Sequence, residues 1–253
     1  ETWPEDPREN GLAALDQLLT EKGSEIAALI LEPMVQGAGG MYFYHPEWLR
    51  QAKAYCDAHD VLLIFDEIPT GLGKTGKFFA CEHDDVVPDI VVMGKALGGG
   101  ILPIAAAVAH PDLDVCGDFA IGHYTHEKNP VTARAALATI EVIEQEGLVE
   151  RSARLGADAL ARLQSFAETC PIIGDVRGRG LMFGVEIVSD RAAKTAGNAM
   201  AERIYYRCLE AGLSFKISRG CVLTLSPPLT ISQEHLDQAL SIVEGAIRDE
   251  ARQ

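Results

Sequence analysis

Two ionisable residues stand at the ends of two apolar runs. VLLIF at residues 61–65 is followed by Asp66, and IVVM at residues 90–93 is followed, after one glycine, by Lys95. Apolar runs of this length, rich in β-branched residues, suit strands of a parallel sheet buried on both faces. Open α/β sheets gather their ligands at the carboxyl ends of such strands, so Asp66 and Lys95 are expected near each other at one sheet edge. A primary amine and a carboxylate placed this way suit pyridoxal 5′-phosphate. The lysine would form the Schiff base, and the carboxylate would keep the ring nitrogen protonated so that the ring acts as an electron sink. A structural ion pair between two strand-end charges is the alternative that spacing alone leaves open.

The elements that must hold these groups are legible in order. Residues 1–10 are polar and proline-containing and read as a loop, and residues 11–20 carry the Leu12, Leu15, Leu18, Leu19 spacing of a short amphipathic helix. A buried strand is expected over 26–31, ending in Glu32-Pro33 and a glycine-rich turn at 37–40. A helix over 46–59, with Trp48, Ala52 and Tyr55 on one face, then leads into the strand that ends at Asp66. Strand–helix–strand order makes a parallel sheet the economical reading. After Lys95 come a glycine turn at 98–100, a strand over 104–109, a loop over 118–130 and an alanine-rich helix over 131–145. From Glu146 the character changes. A long helix over 148–166, a glycine-punctuated link over 172–180, strands over 181–188, 213–217 and 221–225, and helices over 196–211 and 232–248 read as an α+β domain. SQEH at 232–235 is the expected cap of the last helix. The boundary is placed near 147, beside a helix, so the units 1–147 and 148–253 are expected to be rigidly joined.

Composition excludes several function classes. The 253 residues are 47% apolar and 23% charged, which is ordinary for a globular protein with a substantial core. A net charge of −15 argues against nucleic acid or an anionic membrane as partner. No run approaches the ~18 apolar residues of a membrane span. The six cysteines form no CxxC pair and predict free thiols in a reducing cytoplasm. No signal peptide is visible, and because the chain begins at Glu1 rather than Met, its true start is expected upstream. His123 and His126 read as loop histidines, because no third ligand lies at metal-site spacing; no metal is expected. GLGKTGKF at residues 71–78 matches the GxxxxGK of a phosphate loop. Phe78 stands where Mg²⁺ needs Ser or Thr, and the run follows the acidic strand instead of opening the domain, so nucleotide binding is not expected.

Four blocks carry a resemblance: LEPMVQGAGGM at 31–41, FDEIPTGLGKTGKFFACEH at 65–83, PDIVVMGKALGGGILPIAA at 88–106 and GDVRGRGLMFGVEIV at 174–188. Together they resemble the class III pyridoxal-phosphate aminotransferases of fold type I, in the same order over nearly the whole chain. Within that family the first block is most similar to the 8-amino-7-oxononanoate enzymes, and the tail resembles dialkylglycine decarboxylase and the aminocaprolactam racemase. The resemblance implies an α/β fold comprising the C-terminal part of a large parallel-sheet domain and a small α+β domain. It implies a cytoplasmic transaminase moving an amino group from an amine or amino acid to an oxo acceptor, in a homodimer with shared active sites. Lys95 becomes the Schiff-base lysine and the proton-transfer base, Asp66 the partner of the pyridine nitrogen, and Ile68 the apolar cover of one ring face. Thr125, in HYTHEKNP, becomes the residue that reaches the partner subunit's cofactor phosphate.

Several positions depart from many relatives. Pro69 replaces a glutamine that would bond the cofactor's phenolic oxygen, as in the 8-amino-7-oxononanoate enzymes, which also lack it. Thr224, in VLTLSPPL, stands where an arginine binds a substrate carboxylate, and Ala38 where a glutamate pairs with that arginine. A bidentate carboxylate clamp is therefore absent at its usual place. Lys216 or Arg219 could supply a substitute cation, or both could be surface residues; the alternative is a substrate whose reacting end is apolar. Racemisation by a second acid in the glycine loop is disfavoured by Gly37-Ala38. The other readings are a racemase or decarboxylating relative, and a non-catalytic fragment. A large N-terminal portion with the phosphate loop and a ring-stacking aromatic is not found in the sequence, so a second polypeptide or further segment is expected to complete the cut core.

Overall fold

The computed structural model describes residues 11–119, 122 and 124–252. Helix α1 (Leu12–Lys22) leads to strand β1 (Ala28–Leu31), a small hairpin of β2 (Val35–Gln36) and β3 (Tyr42–Phe43), helix α2 (Pro46–Ala58) and strand β4 (Leu62–Asp66). Strands β5 (Ile90–Met93) and β6 (Ala106–Ala109) follow, then helices α3 (Pro130–Gln145) and α4 (Leu148–Thr169). The rest comprises β7 (Ile173–Arg179), β8 (Met182–Asp190), β9 (Thr195–Ala196), α5 (Asn198–Glu210), β10 (Lys216–Ser218), β11 (Val222–Leu225) and α6 (Gln233–Ala251). The expected loop over 1–10 and the reading of His123 lie outside the described residues. None of the described helices is long and apolar enough to cross a membrane.

The first sheet runs in the order β1-β4-β5-β6. β1, β4 and β5 are parallel, as the apolar runs predict, whereas β6 returns antiparallel to β5. Residues 94–105 form turns and not the helix that a parallel crossover would need, so the chain doubles back. Alternation along β4 sends Leu63 and Phe65 into a core with Leu19, Leu49 and Cys56 from α1 and α2. The expectation of burial on both faces is not met. Ile30, Ile64 and Ile90 share the opposite face through direct register, none is fully buried, and Ile30 is 61% exposed. Among the described residues no layer covers that face.

The second sheet is antiparallel, in the order β10-β11-β8-β7, with β9 on β8. Phe183, Val185 and Ile187 of β8 pack with Leu155 and Leu163 of α4, Ile204 of α5 and Val243 of α6. Residues read as a glycine-punctuated link are the strand β7. Glycine there permits close approach: a Cβ on Gly174 would lie 2.6 Å from Val188 Cγ1, and one on Gly178 2.6 Å from Met182 O. The second short strand also begins later than the 213–217 reading, at Lys216. Ser232 caps α6 as SQEH predicts, its Oγ accepting the His235 N–H at 3.0 Å.

The loop after β4 is joined to the second sheet by close backbone contact. A Cβ on Gly156 of α4 would stand 2.0 Å from Gly180 O, and one on Gly180 2.4 Å from the Thr75 carbonyl carbon. Lys74 O accepts the Leu181 N–H at 2.9 Å and the Ser152 hydroxyl at 3.0 Å. This junction sets the relative position of the residues described next.

Candidate active site

Asp66 closes β4 directly opposite Val92 of β5, and Lys95 follows three residues later, so both groups stand at the carboxyl ends of adjacent parallel strands. After β5 the chain passes through Gly94 into a single 3-10 turn over Lys95–Gly98, closed by left-handed Gly99. Lys95 itself has φ 44°, in the left-handed region. That conformation costs a non-glycine residue on the order of 1–2 kcal/mol, and strain of this kind gathers at functional sites. Leu97, two residues on, anchors the turn in a core with Ala136 and Ile143 of α3. The Lys95 side chain is exposed and its ammonium has no hydrogen-bond or ion-pair partner among the described residues.

Asp66 is half-buried, and its Oδ1 accepts the Ile68 N–H at 3.0 Å. Ile68 packs over the backbone of the Lys95 turn, where a Cβ on Gly94 would meet its Cγ1 and Cγ2 at 3.5 Å. The neighbouring Glu67 is buried, accepting the Thr70 hydroxyl at 2.5 Å and the Cys81 N–H at 2.9 Å. Burial raises the Glu67 carboxyl above its usual range while those bonds act against it. Glu67 thus ties down the loop that presents Ile68. Sequence reasoning passed over it; its signal was alternation, since a residue next to strand-end Asp66 must point the other way.

A cavity of about 380 Å³ collects Lys95, Ile68, Ala38 and Thr224. Asp66 is not in its lining; it reaches the cavity wall only through Ile68, whose N–H it accepts. Thr125 is not brought to it: it sits exposed in the turn 125–128 of the same chain. Of the two candidate cations, Lys216 lines the cavity. Arg219 instead donates to the Tyr42 hydroxyl and lies over that ring, 5.1 Å from its centroid.

Two further ionisable residues line the cavity that sequence reasoning did not assign there. Glu32, at the end of β1, has its Oε2 held by the Gly37 N–H at 2.8 Å. Lys74, from the stretch that imitates a phosphate loop, donates from Nζ to Pro227 O at 2.6 Å. Burial pushes the Lys74 ammonium down to about 8. The glycine turn that carries Ala38 is clamped by Arg177 of β7, which donates to Gly40 O at 2.6 Å and to Met41 O at 2.7 Å. The phosphate-loop imitation enters only a four-residue 3-10 turn, Ala80–His83, and no helix N-terminus follows it.

A free amine just after β5, a carboxylate at the end of the adjacent β4 and an apolar side chain packed on the turn that carries the amine form a set that suits a flat heteroaromatic ring bearing a carbonyl group. A mixed α/β sheet with an unpartnered lysine just past a strand end, joined to a second, antiparallel sheet with its own helices, defines the class of fold as α/β. The Aminotransferase class-III family model matches residues 3–247, and the chain belongs to the class III aminotransferases. It is 44% identical over 230 residues to the (R)-1-hydroxy-2-aminoethylphosphonate ammonia-lyase of Vibrio splendidus, covering 86% of this chain and 48% of that one. It is 44% identical over 225 residues to the leucine/methionine racemase of Thermococcus litoralis, covering 88% and 50%. A solved transaminase from the marine bacterium Virgibacillus superimposes with TM-score 0.91 at 30% identity, covering 96% of this chain and 58% of that one. The chain therefore spans about half the length of the curated relatives it matches.

Proposed function

We propose that the chain forms part of a pyridoxal-phosphate-dependent aminotransferase that takes an amino group from an amine or amino acid and delivers it to an oxo acceptor. The observation that carries this reading is the unpartnered Lys95 amine at the end of β5, in a cavity beside Asp66 at the end of β4. Class III family membership supports the cofactor assignment. When bound, pyridoxal phosphate would supply an electron sink for the electrons released at the substrate's α-carbon. Lys95 would hold the cofactor until a donor amine displaces it, and then carry the proton away from the substrate carbon as a general base. Asp66 would keep the ring nitrogen protonated, oriented by the Ile68 N–H on its other oxygen, and Ile68 would exclude water from one ring face. Thr125 is proposed to serve the partner subunit's cofactor phosphate in a cytoplasmic homodimer; its exposure on its own chain is compatible with that role. We also propose that residues 1–147 and 148–253 act as two units meeting at the cavity.

A second reading, racemisation or elimination on the same scaffold, is favoured by Glu32. The glycine turn carries no acid, yet Glu32 supplies a carboxylate to the same cavity, as a second proton-transfer group would need. The names of the lyase and racemase relatives point the same way. An amine-donor screen on the cofactor-loaded protein separates the readings. Transfer of the amino group to an added oxo acid supports the proposal. Free ammonia, or loss of optical activity without transfer, moves the assignment to the second reading.

A further inference from the structure

Strands β10 and β11 are amphipathic in a way that the fold alone does not require. Ile217, Leu223 and Leu225 face the core of the second sheet. The alternate residues Lys216, Ser218, Thr224 and Ser226 line the cavity that holds Lys95. Direct pairing of Lys216 with Thr224 puts the ammonium and the hydroxyl on one face of the sheet. We propose that this polar wall, with Lys216 as its charge, binds an oxyanion group of the substrate, and that it is built for a tetrahedral, phosphonate-type anion. The inference rests on Lys95 being the reacting amine of the same cavity.

Three features carry it. First, with Lys95 committed to the cofactor, lysines 74 and 216 still outnumber the acidic Glu32 in the lining, so the cavity favours an anion. Secondly, the donors of this wall are unspent where others are committed. Thr224 donates to Ser218 Oγ at 2.9 Å, which leaves the Ser218 proton free to point elsewhere, and the Lys216 and Ser226 side chains have no partner among the described residues. Lys74 is bonded to Pro227 O, and Arg219 to Tyr42. Thirdly, the donors are an ammonium and single-proton hydroxyls on separate strands, with no guanidinium fork. A fork recognises a planar carboxylate through two parallel bonds, whereas separate donors can each take one oxygen of a tetrahedral group. Thr224, which cannot replace an arginine by itself, thereby becomes part of a different anion site whose cation comes from the adjacent strand.

The test is isothermal titration of the protein incubated with pyridoxal phosphate, with methylphosphonate and with acetate, at a pH where both are monoanions. Neither has an amine to react at Lys95. Methylphosphonate is expected to bind more tightly than acetate, and Lys216→Gln to weaken it by about 10-fold or more, the scale of one charge-assisted hydrogen bond. Arg219→Gln is expected to leave the affinity within about 2-fold. Lys216 is exposed, so its replacement leaves the core intact, and matched melting curves verify this. Unchanged binding in Lys216→Gln, acetate binding as tightly as methylphosphonate, or no binding to the wild type each overturns the inference. Borohydride labelling of Lys95 in the same preparations is an independent readout of the proposed function. Labelling with an indifferent Lys216 refutes only the anion site, and Lys216-dependent binding without labelling refutes only the transaminase reading.

Discussion

Replacing Arg177 by methionine tests how the cavity wall is held. The guanidinium, 11% exposed, donates to Gly40 O and Met41 O on the glycine turn and to Glu186 at 2.7 Å on β8, and it lies over the Tyr42 ring. Burial opposes its charge, but the hydrogen bonds to Asp175 and Glu186 outweigh burial and hold it charged. Methionine fills much of the volume and leaves Glu186, 17% exposed, without its cation. Breaking a buried pair from one side costs about 3–5 kcal/mol. Asp175, 52% exposed, adds little to that because solvent screens it. The two carbonyls would each add about 1–3 kcal/mol if they stayed dry, but they can rehydrate once the turn loosens, so about 3–5 kcal/mol is expected in all. Urea unfolding of wild type, Arg177→Met, Glu186→Gln and the double variant gives the loss and the coupling energy. The loosened turn carries Ala38, so KM should rise more than kcat falls. A loss below about 1 kcal/mol with no coupling to Glu186 would refute the clamp and class Arg177 with surface ion pairs.

Three other expectations are simpler. Lys74 has its folded pKa depressed to about 8, below its unfolded value, so the folded state binds fewer protons and stability rises as pH climbs from about 8 toward about 10.4. Lys74→Met should abolish that rise in urea midpoints measured across the interval and should stabilise the protein below it. Gly156→Ala forces a methyl group against Gly180 O and should cost about 3 kcal/mol or more, read as a lowered melting temperature, unless α4 slides freely over the β7–β8 turn. Asp66→Asn keeps an oxygen for the Ile68 N–H but removes the charge; turnover should fall by about 100-fold or more with melting unchanged, and near wild-type turnover would remove Asp66 from the chemistry.

The placement of Lys95 and Asp66 at neighbouring strand ends was readable in the sequence because each follows a continuous apolar run, and run length and strand ends are local properties. β7 was not readable: Gly174 and Gly178 look like turn residues, and only the nearness of Val188 and Met182 on β8 shows that they permit strand packing. The face carrying Ile30 and Ile64 is open among the described residues, in keeping with the cut core expected from the sequence; the β-branched runs alone could not show it, because they look alike whether or not a layer covers them. Glu32 and Lys74 joined the site unannounced, since their place depends on the loop after β4 meeting residues 224–228 far along the chain. The choice between Lys216 and Arg219 likewise needed the strand register and the Tyr42 contact.

The central claim is that Lys95 is the reacting amine. The direct measurement is the visible absorbance of the purified protein titrated with pyridoxal phosphate, followed by borohydride reduction and peptide mapping, with Lys95→Ala alongside. A cofactor-derived band that reduction fixes on the Lys95 peptide, and that Lys95→Ala lacks, is the predicted result. A band fixed on Lys74 or Lys216, or one that survives in Lys95→Ala, would contradict it.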